Sequence, residues 1–228
     1  MGFLRRATAT AASMLDLERV RATPLETSPY EYLVVRDFIR PEARQMLIDA
    51  YPVIGQAGSF PLTTVQCSDD FLRLIDEMDG PGFRAVIEEK FGIDLKGKPT
   101  MYTVRGKCRL KDGQVHTDSE SKIITVLLYM NPGNWPNDGG RLRVLRSNDV
   151  NDVAAEVPPD IGTLLVFRRS DTSWHGHLPF EGDRRVIQMN WVTHSKYVDR
   201  EHKRHRWSAA FKKLIGRRDG RNDIGNDY

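Results

Sequence analysis

The chain has 228 residues, of which 39% are hydrophobic and 29% charged, a composition typical of a folded globular protein and unlike that of a disordered chain. Its formal net charge of +3 is too small to indicate a nucleic-acid partner, and no apolar run approaches the roughly 20 residues that span a bilayer. Cys67 and Cys108 form no CxxC motif and the N-terminus has no apolar signal-like stretch, so the sequence predicts a cytoplasmic protein with reduced thiols.

The first part of the chain has mostly helical periodicity. Residues 1–28 are predicted to form an arm with one short helix, and a strand is expected at Tyr32–Val35. A helix is expected to start at Pro41, because proline favours the first helical turn. Two more helices are expected over Asp70–Met78 and over residues 82–91.

From residue 99 onward the periodicity becomes that of strands, separated by loops rich in glycine, asparagine, proline and aspartate. The predicted strands are Thr100–Val104, Ile123–Met130, Arg141–Leu145, Gly162–Phe167 and Val186–Val192. Helices followed by strands indicate an α+β, mainly β domain in which helices pack on one side of an antiparallel sandwich or barrel.

The C-terminal tail is strongly basic. Residues 196–218 contain nine lysines and arginines and two acids, so this segment carries +7 and the rest of the chain about −4. An apolar helical face is predicted at Trp207, Ala210, Phe211, Leu214 and Ile215. Three interpretations stay open: a helix docked on the sheet, peripheral contact with an anionic membrane, or an acidic partner, for which no nucleic-acid recognition motif gives support.

These patterns divide the chain into an arm (1–28), one domain (29–195) and the basic tail (196–228). Within the domain, His116-Thr117-Asp118 lies between two predicted strands. Residues i and i+2 of an extended segment point the same way, so the imidazole and the carboxylate can converge on one metal ion. The pair alone is weak evidence, because most such pairs are surface hydrogen bonds.

A third ligand is available downstream in His175. Two imidazoles and one carboxylate on one face leave the other positions of an octahedral metal open, which suits Fe(II) and O2 chemistry. His177 is the competing residue and is otherwise interpreted as structural or substrate-facing. Trp135 and Trp174 either wall the mouth of this site or pack in the core.

An arginine pair begins the last predicted strand. The guanidinium of either Arg184 or Arg185 could bind a carboxylate beside the metal. Adjacent strand residues face opposite sides, so the two cannot share this role. The residues alone leave both arginines open, and the resemblance described next favours Arg185 by its distance to Trp191, with Arg184 as the alternative.

The order of short motifs resembles the prolyl-hydroxylase-like branch of the 2-oxoglutarate/Fe(II) oxygenases over roughly residues 30–192. The resemblance is carried by His116-Thr117-Asp118, Thr125…Tyr129-Met130-Asn131, Gly139–Leu142, Gly162–Phe167 and His175…Pro179…Arg185…Trp191. Each motif is weak alone, but their order and spacing are specific. The resemblance implies a double-stranded β-helix (jelly-roll, cupin-like) core with N-terminal helices packed on one sheet.

The resemblance also implies site roles. His116, Asp118 and His175 match the iron ligands, Arg185 matches the arginine that binds the distal carboxylate of 2-oxoglutarate, and Tyr129 and Thr125 match residues of the same pocket. Relatives often carry a tyrosine about ten residues before the first ligand, where this chain has Val104-Arg105-Gly106. Tyr102 or Arg105 is expected to take over that contact.

The implied activity is that of an Fe(II)- and 2-oxoglutarate-dependent dioxygenase that uses O2, with ascorbate as an optional reductant. Such an enzyme hydroxylates substrate C–H bonds and releases succinate and CO2. The expected substrate is a small polar metabolite or a prolyl-type molecule. The alternative is a non-catalytic metal-binding jelly-roll that acts through its basic tail, although the retention of every ligand position argues against it.

Overall fold

The computed structural model describes residues 12–133 and 135–196. Its helices are α1 (Leu17–Ala22), α2 (Pro41–Ala50), α3 (Asp69–Asp79) and α4 (Pro81–Phe91). Its strands are β1 (Tyr32–Val35), β2 (Phe60–Pro61), β3 (Thr100–Cys108), β4 (Lys122–Tyr129), β5 (Leu142–Leu145), β6 (Val153–Val157), β7 (Leu164–Arg168), β8 (His175–Gly176) and β9 (Gly182–Val192). The helix predicted around Trp207 and the rest of the basic tail beyond residue 196 lie outside the described residues.

The strands form two antiparallel sheets. The large sheet has the order β1-β7-β4-β9-β3-β2 and the small sheet the order β6-β5-β8. Helices cover one face of the large sheet, and the small sheet lies over the other face. The predicted double-stranded β-helix with helices on one sheet is confirmed.

The core has two layers, one on each face of the large sheet. Along β4, Ile124, Val126 and Leu128 pack with the helices, whereas Leu127 and Tyr129 pack between the two sheets. Both faces of the sheet are therefore covered, which explains why β4 reads as an almost unbroken apolar run without polar alternation. The three predicted metal ligands meet in the interior between the sheets.

The described part of the N-terminal segment belongs to the helix layer. The Asp16 side chain caps α1 by accepting a hydrogen bond from the backbone of Arg19, and Val20 is completely buried. The backbone amides of Met14 and Leu15 donate to the Glu77 carboxylate on α3. The short helix expected in this segment is present, and the domain boundary at residue 28 stays a prediction.

The remaining helices follow their sequence signals. Pro41 occupies the first turn of α2, Ser68 caps α3, and Gly92 ends α4 in the left-handed conformation with φ of 56°. Strands β2 and β8 have two residues each, and β6 is largely half-exposed, so none gave a predictable pattern. Trp135 packs on Phe180 with ring centroids 4.7 Å apart, which favours its packing role.

In the described residues, no helix combines the length and the apolar character that crossing a bilayer requires. Cys67 and Cys108 are both free thiols, as expected.

Candidate active site

The site begins where the connection between β3 and β4 meets β8. The backbone of His116 donates to the carbonyl of His175, and that of His175 donates to the carbonyl of His116, each at 3.0 Å. This antiparallel bridge extends the small sheet by one residue and brings the two imidazoles together, with ring centroids 4.4 Å apart and ring planes tilted by 55°. One ligand atom from each of His116, Asp118 and His175 lies within 4.8 Å of the other two.

Both imidazoles are oriented by the backbone. His116 Nδ1 lies 2.8 Å from the carbonyl of Gln114, and His175 Nδ1 lies 3.0 Å from that of Ser173. Because a carbonyl can only accept, Nδ1 carries the proton in each ring, and Nε2 keeps the lone pair that a metal needs.

Two side chains hold the carboxylate of Asp118. Lys122 Nζ lies 2.5 Å from Oδ1, and the Thr125 hydroxyl donates to Oδ2 at 2.5 Å. Thr125 in turn accepts from the Asn190 amide at 2.8 Å. Burial alone would raise the pKa of Asp118, but the Lys122 ammonium, the His175 ring and these hydrogen bonds hold it below its usual value.

The donor set suits a divalent metal. Burial, reinforced by the neighbouring His116, lowers the pKa of His175 to about 4, so this imidazole is neutral at physiological pH. Neutral imidazole and ionised carboxylate are the forms that bind metal. Two nitrogens and one oxygen converging at a cavity wall are the ligand set of non-haem Fe(II) oxygenases.

A cavity of about 260 Å³ adjoins this cluster, between the two sheets. Besides the three clustered residues, its lining includes Arg105, Lys122, Thr125, Arg184 and Gln188. Arg184 is 4% exposed, and its Nε donates to the carbonyl of Gly140 at 2.7 Å. Its guanidinium lies over the Tyr129 ring, 5.3 Å from the centroid, and donates to the Tyr129 hydroxyl at 3.3 Å.

The expectation that Arg185 faces this cavity is corrected by the structure. Arg185 lies on the helix side of β9, where it donates to the carbonyl of Ile48 and stacks over Tyr51. Trp191, six residues later and used to set the register, lies on that same helix side. Strand alternation therefore places Arg184, the alternative, in the cavity.

The other predicted pocket residues divide between the two faces of the sheet. Thr125 and Arg105 line the cavity, and Tyr129 is fully buried directly behind Arg184. Tyr102 lies outside the cavity lining and is corrected. Its side chain packs on the helix layer and its hydroxyl lies 3.3 Å from Asp79. Arg105 and Tyr102 are three residues apart on β3, so they point to opposite faces.

His177 also lines the cavity but is separate from the ligand cluster. Its Nε2 lies 3.8 Å from the sulfur of Cys108, and its Nδ1 lies 2.8 Å from the carbonyl of Leu178. Burial and the nearby Arg184 lower its pKa to about 4.

Sequence reasoning missed Lys122, Gln188 and Asn190. Gln188 and Asn190 share the face of Arg184 on β9, and their polarity in an otherwise mostly apolar strand is the signal that could have found them.

The comparison with protein families agrees with this geometry. A sequence model described as the 2OG-Fe(II) oxygenase superfamily matches residues 106–193, from the middle of β3 to just past β9. The match covers 88 of the chain's 228 residues, and this segment resembles that superfamily. The matched segment contains all three clustered residues together with Arg184. The oxygenase is therefore an enzyme whose cofactors are Fe(II) and 2-oxoglutarate.

Solved structures share the fold at low sequence identity. The viral collagen prolyl hydroxylase vCPH from Paramecium bursaria Chlorella virus-1, as a 2OG complex, is 14% identical with a TM-score of 0.50, over 71% of this chain and 96% of that one. A Pseudomonas putida prolyl-4-hydroxylase is 18% identical with a TM-score of 0.49, over 83% and 100%. HygX from Streptomyces hygroscopicus, with nickel and 2-oxoglutarate bound, is 14% identical with a TM-score of 0.46, over 71% and 82%. No curated protein sequence matches the oxygenase.

Proposed function

We propose that the oxygenase is a hydroxylase in which His116, Asp118 and His175 bind Fe(II) and Arg184 binds the distal carboxylate of 2-oxoglutarate. The observation that carries the proposal is the convergence of these three ligand atoms in one cavity with a buried guanidinium. When bound, Fe(II) supplies the oxygen chemistry that converts 2-oxoglutarate, O2 and a substrate C–H into succinate, CO2 and the hydroxylated product.

Backbone carbonyls hold the two proposed histidine ligands in the tautomer that a metal needs. The hydrogen-bond chain from Asn190 through Thr125 fixes the carboxylate of Asp118. Holding ligands in advance reduces the reorganisation that metal binding requires.

Arg184 is suited to a carboxylate because its guanidinium offers several donors in one plane. Tyr129 and Gly140 occupy part of its hydrogen-bonding capacity and keep it aimed between the sheets. Arg105 lies on the neighbouring strand of the same wall, and its pKa is lowered by burial and by Arg184, so the two guanidiniums are electrostatically coupled. We assign Arg105 to the same anion-binding region.

The proposed substrate is a small polar metabolite or a prolyl-type molecule. A cavity of about 260 Å³ that also accommodates the cosubstrate supports a small reacting group. The fold shared with a viral collagen prolyl hydroxylase supports the prolyl alternative.

The test is an anaerobic titration of the purified protein with Fe(II) and then 2-oxoglutarate. Chelation of Fe(II) by the keto acid gives a weak visible charge-transfer band, and we expect this band in the natural protein and its loss in His116→Ala and His175→Ala. His194→Ala, which removes an exposed histidine outside the cavity lining, is the matched control and should keep the band. Bound iron without the band would contradict the assignment of the 2-oxoglutarate site.

A further inference from the structure

The cavity has one more positive charge than the proposed chemistry uses. Arg105, Lys122 and Arg184 line it, and Asp118 is the one carboxylate among the described lining residues. Fe(II) and the 2-oxoglutarate dianion cancel each other, as do Asp118 and Arg184. Arg105 pairs with Asp112 at 3.4 Å, a carboxylate that also binds Arg109 at 3.0 Å. In the loaded site, the ammonium of Lys122 is therefore the positive charge that has no counter-ion among these residues.

A β-bulge turns Lys122 toward the cavity. Lys122 pairs with Val192 and Ile124 pairs with Trp191, so β4 has one extra residue, Ile123, at this point. In a regular strand Lys122 would share the face of Ile124, which packs with the helices. The bulge instead aims it into the lining of the cavity, and bulges that re-aim side chains are frequent beside active sites.

The present partner of Lys122 is the carboxylate that iron is proposed to take. The side chains of Lys122 and Asp118 are 14% and 5% exposed, so the ammonium is poorly hydrated. A divalent cation on Asp118 competes for the same oxygens and repels the ammonium. A largely buried ammonium without an anion is unfavourable, so the loaded site requires another anion near the metal.

We propose that Lys122 binds an anionic group of the substrate, so that the oxygenase acts on a small acid. The inference rests on the proposed function, because it takes Asp118 as a metal ligand and Arg184 as the cosubstrate residue. A carboxylate and a phosphate share the chemistry that Lys122 recognises, and both are tested below.

The first experiment uses Mn(II) in place of Fe(II), with saturating 2-oxoglutarate and inorganic phosphate as the anion probe. Mn(II) broadens the ³¹P resonance of phosphate bound nearby. We expect saturable broadening in the natural protein, an affinity at least about 10-fold weaker in Lys122→Met, and recovery to within about threefold in Lys122→Arg, since a hydrogen bond to a charged group contributes about 1.5–3 kcal/mol. Lys98→Met, which removes an exposed lysine outside the cavity, is the control and should match the natural protein.

The same samples separate the two proposals. Mn(II) and 2-oxoglutarate binding, measured by calorimetry before phosphate is added, tests the proposed function by itself. If both bind but the phosphate signal is absent, or is equal in Lys122→Met, the inference about Lys122 is wrong while the proposed function stands. A loss of 2-oxoglutarate affinity in Lys122→Met comparable to that in Arg184→Met also overturns it, because Lys122 would then be a cosubstrate residue.

A second experiment identifies the kind of anion. Two matched pairs compete with phosphate: N-acetyl-L-proline against N-acetyl-L-prolinamide, and glucose 6-phosphate against glucose. We expect an acid to displace phosphate at a concentration at least about 10-fold lower than its neutral counterpart, and the better acid distinguishes a carboxylate from a phosphate. Equal displacement by the neutral members would contradict the proposal.

Discussion

Arg184 and Arg185 are adjacent on β9 but have different environments. Arg184 is buried between the sheets beside Tyr129, whereas Arg185 extends under α2 and over the ring of Tyr51. Alternation along a strand makes these environments exclusive, so each arginine belongs to one layer of the molecule. Their substitutions should therefore affect different properties.

We expect Arg184→Met to raise the 2-oxoglutarate concentration needed for half-maximal binding by about 10- to 100-fold, the effect of losing about 1.5–3 kcal/mol of charged hydrogen bonding. Arg185→Met should leave that concentration within about threefold and lower the free energy of unfolding by about 1 kcal/mol, because it loses one hydrogen bond and one cation–π contact. Calorimetric titration and urea denaturation measure the two effects. A larger binding defect in Arg185→Met would contradict the strand assignment.

Asp112 links the cavity wall to the turn that follows β3. Its carboxylate accepts from the backbone and the guanidinium of Arg109 and pairs with Arg105. Burial by itself would raise the pKa of Asp112, but these donors and charges hold it below its usual value. The ionised form is therefore favoured in the folded state.

The lowered pKa of Asp112 determines how the stability of the fold changes with pH. In the unfolded chain Asp112 titrates near pH 3.9, so its contribution to stability is complete above about that pH and is lost as the pH falls through the lower folded pKa. We expect Asp112→Asn to cost about 2 kcal/mol at pH 7 and to flatten the loss of stability as the pH falls below about 4. Asp171→Asn, whose carboxylate is 86% exposed, should keep the natural slope in urea denaturation.

At the scale of residues, sequence patterns identified the site residues that lie close together along the chain. His116 and Asp118 are two residues apart, and the structure places them together with His175. Lys122 was missed because its direction depends on a bulge, which leaves no local signature in a chain of β-branched and apolar residues. Arg184 was ranked second because counting from Trp191 follows the wrong face of the strand.

At the scale of elements, two bulges shape the cavity wall. One is the extra residue in β4, and the other lies in β9, where Arg105 pairs with Val186 but Lys107 pairs with Asp183. The second bulge lies opposite Gly106 and beside Arg184, and Gly106 packs closely against Ile54.

Gly106→Ala tests that packing. A β-carbon at this position would come within 2.7 Å of Ile54 Cβ and 2.9 Å of the Ile54 carbonyl oxygen. We expect a loss of about 1–3 kcal/mol in the free energy of unfolding, since inserting an atom into a packed site forces the backbone to shift. Gly55→Ala, where nothing lies within 4 Å, should stay within about 0.5 kcal/mol. Equal stability of the two variants in thermal and urea unfolding would show that the strand and the 51–58 segment are not tightly packed.

The sequence predicted the long helices well because they bury a regular face, whereas it predicted only Thr100–Val104 of β3 and Val186–Val192 of β9. Phe71, Leu74, Ile75 and Met78 are all buried on α3, and the helical spacing that predicted them is the one observed. Strands β2 and β8 could not be predicted, since two residues have no periodicity. β8 nevertheless carries His175, so the metal site depends on an element that is held by pairing with β5 and by its bridge to His116.

At the scale of the whole molecule, the large sheet separates a helix layer from a layer that holds the cavity. The segment before β1 is part of the helix layer, because Met14, Leu15 and Val20 are buried there and Glu77 fixes its backbone. The sequence shows little patterning in this region, so its contribution to the core comes from tertiary contacts.

Val20→Ala tests whether this segment contributes to global stability. The side chain is completely buried, and removing two methyl groups from a packed core should lower the free energy of unfolding by about 2 kcal/mol. Val53→Ala, at a residue 99% exposed, should change it by less than about 0.5 kcal/mol. Denaturant unfolding followed by tryptophan fluorescence gives both values. A stability unchanged by Val20→Ala would mean that the segment unfolds independently.

The two-layer arrangement also determines where this enzyme can change its specificity during evolution or in directed engineering. Val186 and Leu127 contact the cavity and the inter-sheet core at once, so altering them changes the pocket and the fold together. Ser59, Gly113 and His177 reach the cavity from connections between elements. Of these, Gly113 is constrained, because a side chain there would overlap the ring of His177. Ser59 lies outside the two core layers, and its hydroxyl accepts a hydrogen bond from Arg105 at 3.1 Å, so a new side chain there reshapes the pocket through this contact without altering the packed core.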